Sequence, residues 1–213
     1  MPDTVKREYR SQLRAAQALD TRRAIVAGAT RLFIEHGYGA TTIDAVAEAA
    51  GVSRKTVFTA VGGKLELLQL ALDWAVAGDD QSSALADRAA IREWLDRPEP
   101  AGVLMGFAGH LAEIGARVGP LHGALEVAAG VDAAARDLVA ASQRRRLDDA
   151  RKVVRRLREL KALTTRITQS DAVDLVWLAM DPVLFDRLVR VRGWTASRFQ
   201  RWLADALQAQ LLD

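Results

Sequence analysis

Residues 41–64 read TTIDAVAEAAGVSRKTVFTAVGGK. This stretch breaks into two short helices around a tight turn. In the first, Ile43, Val46, Ala47 and Ala50 recur at i, i+3, i+4 and i+7, which makes one apolar stripe. Gly51 supplies the left-handed residue that ends a helix without a Cβ clash. Val52 fills the angle, and Ser53 is a good N-cap because its hydroxyl accepts from an orphan backbone N–H. In the second helix Val57 and Val61 face inward. Arg54, Lys55, Thr56, Phe58 and Thr59 are left on the open faces. Two short helices of this kind, the second presenting small polar and basic groups, form the arrangement that places a helix in the major groove of DNA.

Residues 21–72 resemble the DNA-binding domain of TetR-family (tetracycline-repressor-like) transcriptional regulators. The likeness rests on Phe33 and Gly37-Tyr38 closing an amphipathic helix, on TTIDAVA at 41–47, on AGVS at 50–53, on the aromatic Phe58, and on Lys64 opening a fourth helix. The resemblance implies that Thr42 and Lys64 hold phosphates and that Arg54, Lys55, Thr56 and Thr59 face bases or backbone. Ser53 and Phe58 complete the expected DNA-facing set. There are two departures from the family pattern. Phe58 stands where the family usually has a Tyr whose hydroxyl reaches a phosphate. Ala60, Val61, Gly62 and Gly63 replace an aromatic pair followed by Pro-Ser. They motivate an alternative, a ligand-binding or interaction protein with a degenerate reading head.

The 213 residues are half hydrophobic, enough for one or two domains with an apolar core. There is no cysteine, which excludes disulfides and cysteine metal sites and suits a reducing cytosol. No apolar run is long enough to cross a bilayer, and the charged N-terminus lacks a secretory core, so a cytoplasmic protein is expected. The net charge of +3 is unevenly placed: residues 1–70 hold 10 Lys/Arg against 7 Asp/Glu, and residues 71–213 hold 20 against 20. The surplus lies where phosphates are expected.

Residues 1–20 form a basic extension in which Lys6, Arg7, Arg10 and Arg14 make an arm toward DNA, a helix running into the next one, or a solvated terminus. The first domain helix is expected from Thr21, with Ile25, Ala29, Leu32 and Phe33 buried and with Gly37 and Gly39 ending it. Arg22 and Arg23 in its first turn oppose the helix dipole, so they read as phosphate contacts or as an ordinary exposed pair. The fourth helix runs from Lys64 toward Ala77. Beyond residue 81 the pattern is all helical, with segments expected over 82–96, 100–117, 120–129, 132–162, 170–192 and 195–211.

Residues 171–212 resemble the last two helices of the same family, which form a four-helix dimer interface. Leu178, Phe185 and Val189 on one helix, and Phe199, Leu203 and Leu207 on the other, are the expected dimerisation residues. The same pattern fits a hairpin buried in its own monomer. Dimerisation would let two heads read a palindrome in successive major grooves.

Catalytic motifs are lacking. Gly62-Gly63-Lys64 fails the phosphate-loop pattern, since Phe58 stands where its first glycine belongs and Leu65 where Ser or Thr should follow. His110 with Glu113 and His122 with Glu126 have a spacing common by chance, so no metal is expected, and no cofactor. The run from Arg144 to Arg158 carries interspersed acids and reads as a solvated helix face. By resemblance a ligand pocket lies inside the bundle, with Trp74, Met105, His110 and Trp177 as candidate lining and an apolar or aromatic effector as occupant.

The expected fold is all-α. A three-helix helix-turn-helix DNA-binding domain over 21–66 follows the extension, and a helical effector-binding and dimerisation bundle spans 67–213. The expected function is a homodimeric regulator, a repressor, that binds a double-stranded DNA operator and is released by a small-molecule effector, with no enzymatic activity and no membrane partner.

Overall fold

A computed structural model describes residues 2–80 and 89–213; of residues 2–12, 89 and 90 it describes the backbone only. The side chains of Lys6, Arg7 and Arg10, and residues 82–88 of the helix expected over 82–96, therefore lie outside the described residues. The elements are α1 (Pro2–Ala40), α2 (Ile43–Ala49), α3 (Arg54–Ala60), α4 (Lys64–Ala77), α5 (Ala89–Leu95), α6 (Pro100–Val131), α7 (Ala133–Glu159), α8 (Gln169–Ala179), α9 (Pro182–Phe185, continued by a π-helical turn Asp186–Val191) and α10 (Ala196–Leu211). No strand forms among the described residues.

The turn signals of residues 41–64 act as the residue types require. Thr42 and Ser53 are N-caps, each accepting from the backbone N–H three residues on, Ala45 and Thr56, at 3.1 Å. Gly51 has φ 65°, with its N–H on the Glu48 carbonyl and that of Val52 on the Ala47 carbonyl. That pair of bonds closes α2 in a Schellman motif and turns the chain into α3.

Three expected boundaries change. The first helix begins at Pro2 rather than near Thr21, because nothing between residues 13 and 21 interrupts helical backbone and the Thr21 hydroxyl bonds back to the Gln17 carbonyl at 2.8 Å. The expected break at Gly119-Pro120 is absent: α6 runs through Pro120 to Val131. A proline inside a helix costs the Ala116 carbonyl its N–H partner, and packing on both flanks keeps the helix continuous. The segment expected over 170–192 is split. Pro182 lacks an N–H, Asp181 caps the new start by accepting from Val183 N–H at 2.9 Å, and the π-helical turn follows.

Two apolar cores sit on α6. Its first half contributes Val103, Leu104, Phe107 and Leu111 to a body core with α7, α8, α9 and α10. Its second half contributes Leu121, Ala124, Leu125 and Ala128 to the core of the N-terminal head, against Ile25, Phe33, Val46, Val57 and Leu68. The head core thus does not close at residue 66; α4 and α6 complete it. Each fully buried Phe or Leu contributes about 1.5–3 kcal/mol, so the head is held to the body by several such groups. Gly115 and Gly106 allow close approach on α6: a Cβ at Gly115 would overlap Phe185, and one at Gly106 would overlap Trp94.

Candidate nucleic-acid interface and effector cavity

The head presents α3 outward. Val57 is fully buried and anchors the helix, while Ser53, Arg54, Lys55, Phe58 and Thr59 are exposed and Thr56 is half-buried. Arg54 is held rather than loose: it donates to the Asp44 carboxylate at 2.9 Å and lies over the Phe58 ring at 5.7 Å. The Ser53 and Thr56 hydroxyls share a 2.8 Å hydrogen bond. The Thr59 hydroxyl donates to the Lys55 carbonyl at 2.9 Å, which leaves its lone pairs outward. Thr42 caps α2 with its oxygen and keeps its own O–H free to donate. Lys64 opens α4 and reaches back to the Gly39 carbonyl at 3.1 Å, with its ammonium 4.4 Å from the centre of the Tyr38 ring. Burial draws its pKa below the ordinary lysine value. Asp44 and Tyr38, which orient Arg54 and Lys64, had no signature in the sequence.

Arg22 and Arg23 are not in the first turn of a helix, the position expected for them. They lie well inside α1, so no orphan N–H groups of a first turn surround them, and the dipole argument for them disappears with the early helix start. Arg22 lies on the wall of a cavity that is partly open to solvent. Arg23 pairs with Asp80 just beyond α4 and, at 3.3 Å, with Asp20.

That cavity, of about 770 Å³, lies between α4, α6 and α7, with α5 along one side. From α6 it takes Phe107, His110, Leu111, Ile114 and Val118, one helical face; from α4, Leu70, Asp73 and Trp74. Trp94 of α5 lies 5.6 Å from the Phe107 ring and 5.9 Å from His110. Burial lowers the His110 pKa, so its neutral form is favoured. Of the expected lining residues Trp74 and His110 are present, and Met105 and Trp177 are not. Met105 lies on the α6 face turned to α10, beside Gln200, and the Trp177 indole donates to the Gln143 carbonyl at 3.3 Å in the seam between α7 and α8.

The basic run of α7 is also reassigned. Arg144, Arg151 and Arg158 face solvent, Arg146, Asp149, Lys152 and Arg156 line the cavity, and Arg145 and Arg155 line it while remaining exposed. Their spacing of one, three or four residues places them on one helix face, a signal present in the sequence that a plain solvated face gives equally.

The expected dimerisation set divides. Phe185, Phe199, Leu203 and Leu207 are each no more than 4% exposed and pack in the subunit's own core, so they are corrected to core residues. Val189 is half-buried. Leu178 is 58% exposed, and Val191 and Trp202 join it as large apolar groups on the outer face of the last helices.

A helix-turn-helix head is joined through α4 to a helical body that carries the cavity. Residues 25–71 match the family model described as bacterial regulatory proteins, tetR family. Over 58 residues the chain is 41% identical to the HTH-type transcriptional regulator SrpR of Pseudomonas putida, and equally to the uncharacterized HTH-type transcriptional regulator TtgW of the same species. Those matches cover 27% of this chain, and 27% and 43% of the two relatives. The fold is that of SmeT, a repressor from Stenotrophomonas maltophilia, in its triclosan complex: TM-score 0.65 at 20% identity, over 91% of this chain and 92% of that one. NalD, the secondary repressor of the MexAB-OprM multidrug efflux pump in Pseudomonas aeruginosa, aligns with TM-score 0.63 at 18% identity, over 90% and 96%. Residues 25–71 thus match the tetR-family head, and the fold shared with SmeT and NalD extends over about nine-tenths of the chain. Among the described residues no helix is long and apolar enough to cross a membrane.

Proposed function

We propose that the protein is a homodimeric repressor that grips a palindromic operator with two copies of α3 and releases it when a small molecule fills the cavity. The observation that carries this is the double use of α4. Its first residue, Lys64, is fastened to the head, and Asp73, Trp74, Val76 and Ala77 near its other end line the cavity. Trp74 also borders the groove where α1, α4 and α6 meet. A ligand pressing on Trp74 would tilt α4, and α4 would carry the head with it. In a dimer such tilts change the separation of two reading helices that must fit grooves about 34–36 Å apart.

In the bound state Lys55, Thr56 and Thr59 face base edges or backbone, with Arg54 released from Asp44 or bridging from it, and Thr42 and Lys64 hold phosphates. The second subunit covers the outer faces of α8 and α10 around Leu178 and Trp202. Selection of bound sequences from a random DNA pool, followed by footprinting, tests the reading. A two-fold symmetric site protected at modest salt supports it. Retention of small molecules with no sequence-selective DNA binding supports the degenerate-head alternative instead.

A further inference from the structure

The cavity's polar groups do not match one another. Two of its side chains carry buried N–H groups with no hydrogen-bond partner, Trp94 at Nε1 and Arg146 at Nε. Trp94 is 8% exposed, and nothing among the described residues accepts from its indole. Arg146 donates through Nη1 to the Met180 carbonyl at 3.2 Å and forms a long ion pair with Asp181 at 3.7 Å, with the charge of Glu126 acting from further away. A buried donor left unmade is costly, and more so on a charged group. Most acids of the cavity are in the opposite condition. Asp149 is bonded to Lys152 at 2.7 Å, Asp80 to Arg23, and Glu159 is paired with Arg156 at 3.5 Å. Asp73 is an exception: burial raises its pKa toward the neutral acid, which the charge of Arg145 opposes. Arg145 and Arg155, on the same wall but exposed to solvent, have no carboxylate within 4.0 Å among the described residues. Thus the cavity wall carries six Lys/Arg against five Asp/Glu, and two unmet donors, beside an aromatic wall of Trp74, Trp94 and Phe107.

We propose that the effector is an apolar, ring-sized anion: its hydrocarbon body lies against the aromatic wall and its carboxylate, or an equivalent oxyanion, takes the Arg146 guanidinium. This rests on the reading of the cavity as the effector site, and it narrows the occupant from any apolar molecule to one with acceptor oxygens and a negative charge. A cation would face the guanidinium groups of Arg145, Arg146 and Arg155. A neutral molecule without acceptors would leave both orphan donors as they are.

The test is calorimetric titration of the full-length protein, without DNA, with three probes that share one ring system: 2-naphthoate, 2-naphthylmethanol and 2-naphthylmethylammonium. The expected result is one saturable site per chain, with the carboxylate bound at least about tenfold more tightly than the alcohol, the size of effect that one charge-assisted hydrogen bond supplies, and the ammonium bound most weakly. Arg146→Gln should bring carboxylate and alcohol within about threefold of each other. The wild-type ranking decides by itself if that variant does not fold. Equal binding of alcohol and carboxylate, preference for the ammonium, or no saturable binding of any probe overturns the proposal. Since no operator is involved, selective carboxylate binding by a protein that fails to retain DNA removes the repressor reading and leaves this one standing.

Discussion

Arg117 of α6 donates through Nε to the Ala75 carbonyl at 2.7 Å, and its Nη2 lies 3.4 Å from the Val76 carbonyl. The two acceptors are among the last carbonyls of α4, which have no N–H partner within their own helix. A cation at a helix C-terminus also meets the negative end of its dipole. Arg117 thus fastens the end of α4 to α6, one turn from the wall of the cavity, while Lys64 fastens the other end to the head.

Arg117→Met keeps the aliphatic stem and removes these bonds. It should lower stability by about 1.5–3 kcal/mol, the range for hydrogen bonds to charged groups, read as a shift of the urea midpoint. It should also loosen the coupling between cavity and head, so that an effector occupying the cavity changes DNA affinity less than in the parent. An unchanged midpoint together with unchanged coupling would show that Arg117 does not hold α4.

Lys64→Ala should weaken binding to every DNA sequence by a similar factor and lower the slope of log K against log salt by about one. Lys55→Ala on α3 should instead alter the preference among sequences. Gel-shift titrations at several salt concentrations separate the two effects, and a sequence-dependent loss for Lys64→Ala would remove it from the phosphate contacts.

Leu178→Asp places a charge on the outer face of α8 without disturbing the subunit core, since Leu178 is mostly exposed. Sedimentation equilibrium should show the dimer giving way to a folded monomer. Phe199→Asp, by contrast, should prevent folding, because Phe199 is buried against Phe185 at 5.1 Å in the subunit itself. A Leu178→Asp protein that remains a dimer at micromolar concentration would move the interface elsewhere.

Gly115→Ala tests the packing of α6 on α9. Its Cβ would enter the space of the Phe185 side chain, so a loss of about 1–3 kcal/mol is expected from overpacking. Gly123→Ala, where a Cβ meets nothing nearby, serves as the control and should be neutral or slightly stabilising. Thermal melts of the two variants give the comparison.

Stability should fall as pH drops through the range where free imidazole titrates. Burial lowers the His110 pKa, with Arg117 acting in the same direction and Glu113 and Asp149 opposing. Below the ordinary value of 6.5 the unfolded chain binds a proton that the folded chain resists, so folding free energy is lost until the folded group also titrates. His110→Gln should flatten this part of the profile between about pH 7.5 and about pH 5.5. The same slope in parent and variant would assign the dependence to other groups.

The helix-turn-helix was legible in the sequence because its determinants are local. Gly51 must be left-handed to close α2, Ser53 must cap α3, and Val46 and Val57 must face inward, and each requirement is met within a few residues of chain. The fourth and last helices were legible for the same reason. Gly119-Pro120 was a different case: a local break signal that packing overrode, while still marking where α6 passes from the body core to the head core. Tertiary structure alone decided the rest. It paired Arg54 with Asp44 and Lys64 with Tyr38, sent Arg22 to the cavity and Arg23 to Asp80, and used Phe199, Leu203 and Leu207 inside the subunit while leaving Leu178 outside. An apolar stripe records that a helix face avoids water, not which surface covers it, and a charged stripe looks the same whether it faces solvent or a cavity. Those choices rest on contacts between residues distant in sequence, which no local pattern encodes.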